Sequence, residues 1–219
     1  MNADRLARVY RWVEYAAFGL ALERCRFAHL GALAGATRVL VLGEGDGRFV
    51  ARLLRENRGA RVEVVESSKE MLRVARGRVG EDERVRWLQA DAVRGPLPEG
   101  PFDAVVTHFF LDCFGEAEAA RVVREAARRL EPGGVWVISE FCDGGRGWRG
   151  VHARAWLWAM YRFFAATTGL RARRLPGWEG MLREAGLRRE ARVEGRWGLV
   201  VGEVWRKIDW PPMNADEHR

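Results

Sequence analysis

Residues Gly43-Glu44-Gly45-Asp46-Gly47 alternate three glycines with two carboxylates, directly after the apolar run Val39–Leu42. Glycines at this spacing allow a tight turn and a close backbone approach to a bound group. The carboxylates narrow down what that group is. A pyrophosphate needs bare N–H groups and positive helix ends, so Glu44 and Asp46 would repel it. A cationic cofactor would be attracted. Further carboxylates stand at the ends of the next two apolar runs. Glu66 closes Arg61–Glu66, where a carboxylate can accept from both hydroxyls of a ribose. Asp91 follows Leu88-Gln89-Ala90, where it can accept from an adenine amino group while Ala90 and Ala92 offer backbone N–H groups. Alone, Glu66 reads equally as a solvated strand end, and Asp91 as an Asx turn. Ser67 lies beside Glu66, and Met71 is placed either to lie on the adenine face or to fill the core. In order along the chain, the three stations make a consistent nucleoside site.

A second cluster is Thr107-His108-Phe109-Phe110-Leu111-Asp112-Cys113-Phe114. Thr107 and His108 end an apolar run and join the cofactor stations. Phe109 and Phe110 can shelter a cationic centre from water and meet a substrate. His108 is a candidate general base, with Asp112 to orient it or bind substrate. Glu140-Phe141 ends the next apolar run near the same mouth. Tyr161 and Phe164, and Tyr10 and Tyr15 from the N-terminal region, are candidates to close an apolar acceptor pocket. His29, His152 and His218 show no metal-ligand spacing with Cys or carboxylates, so no metal is expected.

The elements that position these groups follow from periodicity. Strands are predicted at Arg38–Leu42, Arg61–Glu66, Arg84–Gln89, Phe102–Thr107 and Val135–Glu140, and helices at Gly47–Asn57, Lys69–Val79 and Glu116–Leu130. Alternating strands and helices imply a parallel sheet with helices on both faces. An aromatic helix, Val151–Thr168, and a short helix, Trp178–Ala185, follow. Leu187–Glu194 and Gly198–Arg206 then read as an antiparallel hairpin at the sheet edge.

The 219 residues fit one domain. The expected layout is a single domain over 1–208: cap helices in 1–35, a cofactor-binding core at 37–141, aromatic cap helices at 151–186 and the closing hairpin at 187–206. Residues 209–219 read as a loose tail. Net charge is +7, with arginines spread along the chain and accompanied by Glu and Asp. That pattern suits solvated helix faces better than a nucleic-acid groove. Cys25, Cys113 and Cys142 form no close pair, which suits reduced thiols and a cytoplasmic location. No segment has the length and apolarity of a membrane span.

VLVLGEGDG, VEVVESSKEML, WLQADA, PFDAVVTHFFLDCF and LEPGGVWVISEF stand in the order of the class I S-adenosylmethionine-dependent methyltransferases, which residues 37–141 resemble. The resemblance implies a Rossmann-like three-layer α/β sandwich. Its seven-stranded, mostly parallel sheet has the order 3-2-1-4-5-7-6, with a C-terminal antiparallel hairpin strand. It implies S-adenosyl-L-methionine as cofactor, with the methionine end at Gly43–Gly47, ribose at Glu66 and adenine at Asp91. Many members carry an acidic residue two positions before the first glycine, where this chain has Val41. Glu44 and Asp46 are then the candidates to hold the ammonium. The expected function is methyl transfer to a small, partly apolar molecule, with no nucleic-acid partner and an open oligomeric state. An RNA or protein methyltransferase and a non-catalytic cofactor-binding protein are the alternatives. A dehydrogenase is disfavoured by the acidic loop.

Overall fold

Val39, Leu40, Val41 and Leu42 are all buried, and alternate members point to opposite faces of the sheet. A strand apolar on both faces belongs in the middle of a parallel sheet covered on both sides. The computed structural model describes residues 20–143, 147–148, 150–151, 153–158, 162 and 174–208. Its seven strands are β1 (Arg38–Leu42), β2 (Arg61–Glu66), β3 (Val85–Gln89), β4 (Phe102–His108), β5 (Leu130–Phe141), β6 (Leu187–Gly195) and β7 (Val200–Lys207). The order is β3-β2-β1-β4-β5-β7-β6, as expected. The β3-β2-β1-β4-β5 part is parallel, and β7 runs antiparallel to both β5 and β6.

Five helices have defined ends: α1 (Ala21–Phe27), α2 (Arg48–Glu56), α3 (Lys69–Val79), α4 (Glu116–Arg129) and α5 (Trp178–Glu184). One core joins Val39, Val41, Val64, Ala104 and Val106 to Phe49, Val50 and Leu53 of α2. The opposite core joins Leu40, Leu42, Val105, Trp136 and Ile138 to Val122 and Val123 of α4 and Leu182 of α5. A third cluster lies over the carboxyl end of the sheet. It brings together Leu22 and Cys25 of α1, Phe109, Phe141, Ala153, Leu157 and Val200.

Two boundaries differ from the sequence expectation by more than one residue. Strand β5 starts at Leu130 and runs through Pro132-Gly133-Gly134, because Leu130 pairs with Phe102 before the register resumes at Ala104↔Val135. A turn with positive φ at Arg196, Trp197 and Gly198 separates β6 from β7, so β7 begins at Val200 rather than at residue 198. The N-terminal residues 1–19, the tail 209–219 and much of the predicted helix Val151–Thr168 lie outside the described residues. Tyr10, Tyr15, Tyr161 and Phe164 fall there too.

Helix α1 reaches the sheet because the strands beneath it lack side chains. A Cβ on Gly202 would lie 2.8 Å from the Cys25 carbonyl oxygen, and one on Gly195 would lie 3.2 Å from Cys25 Sγ. His29, just past α1, bonds the Gly202 carbonyl through Nε2 at 3.0 Å. Gly202→Ala forces backbone against backbone. It is expected to cost about 1–3 kcal/mol, the usual range for overpacking, measurable as a lower urea midpoint with unchanged slope.

Candidate cofactor and active site

Gly43, Gly45 and Gly47 all take positive φ, at 70°, 71° and 83°. A Cβ on Gly43 would run into the Phe110 ring, and one on Gly47 would come 2.7 Å from the Ala75 Cα in α3. A Cβ on Gly45 would meet nothing within 4 Å. Gly43 and Gly47 therefore serve packing. Gly45 presents its backbone to open space, where a cofactor has room to lie.

The two loop carboxylates have different surroundings. Glu44 folds over the start of α2, where Phe49 N–H and Val50 N–H donate to its Oε1 at 3.0 and 3.1 Å. A carboxylate at a helix N-terminus is favoured by the free N–H groups and the helix dipole. Burial nevertheless pushes the Glu44 carboxyl up to about 8, against the pull of those N–H groups and of Arg26. Asp46 pairs with Arg48 at 2.9 Å and Arg78 at 3.2 Å. The charge of Asp46 is thus answered within the chain, and Glu44 becomes the stronger candidate for a cationic ligand.

Glu66, at the end of β2, is pinned by the loop it faces. Ser68 N–H donates to Oε1 at 2.8 Å and Gly45 N–H to Oε2 at 3.3 Å. Burial raises its carboxyl, while bonds from Ser68, Gly45 and Ser67 oppose the rise. Ser67 engages the same carboxylate through both its backbone and its side chain. Ser68 Oγ caps α3 by accepting from the N–H of Met71, whose side chain is buried. Asp91 takes the Asx-turn form, with Oδ1 accepting from Val93 N–H at 2.9 Å and Arg94 N–H at 3.4 Å. Ala90 N–H donates to the Glu66 carbonyl at 3.2 Å, which sets Asp91 beside the end of β2. Ala90 and Ala92 pack partly buried against the α4-side core.

Thr107 is fully buried, and its Oγ1 accepts from the Trp136 indole N–H at 3.0 Å, which commits its side chain to the core. Glu140 is fully buried beneath the loop after β4, where Phe110 N–H and Leu111 N–H donate to its Oε1 at 2.9 and 2.7 Å. It anchors that loop. Burial, and then the neighbouring Asp112, hold Glu140 well above the usual carboxylate range, and burial raises Asp112 to about 6. Phe110 lies over Gly43 and meets Phe114 edge-on at 4.9 Å. Phe109 has φ +52, an uncommon conformation for a bulky residue, and its N–H donates to the Ser139 carbonyl at 2.7 Å. Its ring packs on Phe141 at 5.3 Å.

His108 is 8 % exposed, and its ring stands edge-on to Phe49 at 4.5 Å. Nδ1 bonds Ser139 Oγ at 3.0 Å, and the buried Nε2 has no partner. Burial, and then the Arg26 charge, hold its pKa well below the usual value. Both causes favour the neutral ring. Arg26 and Ser139 were missed from the sequence. Arg26 sits among Leu22 and Cys25 on the buried face of α1, a charge on an apolar stripe, and that misfit was the available signal.

A cavity of about 490 Å³ opens beyond β5, lined by Cys142, Arg154, Leu157, Trp158, Leu175 and Trp178 among others. Among the described residues no cluster of His, Cys, Asp or Glu could hold a metal ion, and no helix is long and apolar enough to cross a membrane.

Residues 39–134 match a family model described as a methyltransferase domain. This span contains the glycine loop, Glu66, Asp91 and the loop after β4. Over this span the chain is similar to methyltransferase domains. The demethylmenaquinone methyltransferase of Thermus thermophilus is 34% identical over 127 residues, 58% of this chain and 57% of that protein. That of Clavibacter sepedonicus is 38% identical over 104 residues, 48% of this chain and 41% of that protein. The chain thus spans about half the length of the curated relatives it matches. The N-methyltransferase NodS from Bradyrhizobium japonicum, solved with S-adenosyl-L-homocysteine, has the same fold. It superposes with a TM-score of 0.64 at 19% identity, covering 85% of this chain and 87% of that one.

In this domain the raised Glu44 carboxyl has a measurable consequence. A carboxyl whose folded pKa lies above its unfolded value stabilises the fold at low pH and loses that contribution as pH rises through the folded pKa. For Glu44 the window runs from the ordinary carboxyl range, about 4.5, to about 8. Glu44→Gln is therefore expected to gain thermal stability relative to the parent as pH rises from 5 to 8.5 without ligand. A difference in Tm that does not vary with pH across that window overturns the assignment.

Proposed function

We propose that this chain transfers the methyl group of S-adenosylmethionine to a small, partly apolar acceptor. The observation that carries the cofactor part is the Glu66 carboxylate, fixed by Ser68 N–H and Gly45 N–H beside the open face of Gly45. In this reading Glu66 holds the ribose hydroxyls, Asp91 the adenine amino group, and the Gly45 region the methionine end. Bound there, the cofactor supplies an electrophilic methyl on a sulfonium, which leaves as a neutral thioether. The chain's task is alignment and exclusion of water, which can supply much of the rate of an in-line displacement. In this reading Phe109 and Phe110, which pack on Phe141 and over Gly43, shield the cationic centre.

His108, held neutral, is no proton store in this reading. Asp112, raised to about 6, is the titratable group of this loop suited to receive a proton from an acceptor hydroxyl or acidic C–H. The cavity beyond β5 supports an acceptor with an aromatic or aliphatic body, because Leu157, Trp158, Leu175 and Trp178 line it. The relatives named for demethylmenaquinone methylation support the same class. Many arginines are already paired within the chain, as in Arg52–Glu56, Arg73–Glu70, Arg128–Glu125 and Arg206–Glu190, which favours solvated faces over a nucleic-acid groove.

Glu66→Ala is expected to weaken S-adenosylhomocysteine binding by about 1.5–3 kcal/mol, roughly ten- to hundredfold, by titration calorimetry. Unchanged affinity removes the ribose assignment. Incubation with methyl-labelled S-adenosylmethionine and a panel of small aromatic diols, reduced quinones and cellular RNA tests the acceptor. Label in the small molecules is expected. Label confined to RNA or protein overturns that class.

A further inference from the structure

The formal charge of the chain comes from one stretch. Lys and Arg number 37 against 30 for Asp and Glu, a surplus of +7. Between Asp143 and Glu179 stand seven arginines, from Arg146 to Arg174, and no Lys, Asp or Glu. The rest of the chain is therefore balanced, with 30 of each sign. The same stretch holds Trp148, Trp156, Trp158 and Trp178, four of the ten tryptophans. Other helices interleave the two signs, as in α4, where Arg128 pairs with Glu125. An acid-free run rich in arginine and tryptophan is not an ordinary solvated face.

Every described residue from Trp148 to Arg162 is helical. Trp148, Val151, Ala155, Trp158 and Arg162 follow at steps of three and four, which sets them along one face of a helix. All five are exposed, Trp148 and Trp158 at 66 % each and Val151 at 62 %. On the opposite face, Ala153 and Leu157 are buried in the cluster over the carboxyl end of the sheet. Apolar groups thus point inward and outward, and the inward ones already serve the core. Arg154 is exposed beside the outer stripe, and the Arg162 guanidinium lies 5.4 Å from the centre of the Trp158 ring. The turn between β6 and β7 adjoins this helix. There the Arg196 guanidinium lies 5.1 Å from the centre of the Trp156 ring, and the next residue, Trp197, is 57 % exposed. The cavity beyond β5 shares Arg154, Leu157 and Trp158 with the helix.

Tryptophan and arginine together suit the boundary of a bilayer. Indoles settle at headgroup level, and guanidinium groups pair with lipid phosphates. An anionic leaflet attracts concentrated positive charge. A second copy of the chain is disfavoured, because two such faces would set like charges against each other. Nucleic acid is less well matched, since Val151 and Ala155 offer nothing to a phosphate along the middle of the stripe. We propose that the face carrying Trp148, Val151, Trp158 and Arg162 docks on the surface of an anionic bilayer, with the cavity beyond β5 opening beside the contact. Among the described residues no helix could cross the bilayer, so these residues lie on it and do not span it. This face is separate from the cofactor stations and does not depend on the acceptor reading above.

The full chain is sedimented with vesicles of phosphatidylcholine alone or mixed with phosphatidylglycerol, and the bound fraction is followed against salt. Binding to the mixed vesicles is expected to be about tenfold tighter or more at low salt, and to weaken as salt rises. Arg162→Glu should weaken it about tenfold, while Arg128→Ala on α4 should change it by less than about twofold. Replacing Trp148 and Trp158 together by serine should remove most of the quenching of tryptophan emission that brominated lipids cause in the parent. Equal binding to both vesicle types, equal effects of Arg162→Glu and Arg128→Ala, or quenching that persists without the two indoles overturns the proposal. Binding of RNA, or self-association in sedimentation, without vesicle binding overturns it too. Should a variant not fold, the parent's preference between the vesicles and its salt dependence still decide.

Discussion

Loops at the carboxyl ends of the strands expose backbone N–H groups, and this chain answers them with carboxylates. Glu44 accepts from the start of α2, Glu66 from Gly45 and Ser68, Asp91 from Val93 and Arg94, and Glu140 from Phe110 and Leu111. The bonds to Glu44, Glu66 and Glu140 satisfy buried or half-buried donors that would otherwise cost free energy. The same bonds gather negative charge along one rim of the sheet. That rim suits a ligand with a positive centre and hydroxyl donors.

Gathering carboxylates under partial burial raises their proton affinity, as at Glu44, Asp112 and Glu140. The chain tempers this differently at each place. Glu44 has a helix N-terminus and Arg26, Asp46 has Arg48 and Arg78, and Glu140 has loop amides with Asp112 close by. The arrangement keeps one carboxylate of the glycine loop paired and leaves the other oriented by backbone alone. Desolvation, rather than any single contact, therefore sets the electrostatics of the site.

Much of the frame was legible in the sequence. Apolar runs with period 2, separated by helical patterns, gave the strands in order, and strand-end carboxylates marked Glu66 and Asp91. Roles that depend on side-chain direction were not legible. Thr107 and His108 are neighbours on β4 and therefore face opposite layers, one toward Trp136 and the other toward Phe49. Glu140 looked like a mouth residue until the loop above it was seen to hang from it. The continuation of β5 through Pro132-Gly133-Gly134 needed the pairing of Leu130 with Phe102, a contact that no local pattern encodes. Arg26 could be found only as an anomaly on an apolar helix face, because its partners arrive from β1 and β4.

The contact of Gly202 with Cys25 joins the two ends of the described chain. Helix α1 rests on β6 and β7, and His29 bonds Gly202 across 173 residues of sequence. Arg26 is carried on that helix, so its place depends on strands far along the chain. Strand β5 meets α1 as well, through Ser139 Oγ on the Cys25 carbonyl, but β6 and β7 complete the surface it rests on. The domain is thus completed by a contact between early and late segments of the described chain, and a chain truncated before residue 195 would lose the platform that holds α1 in place.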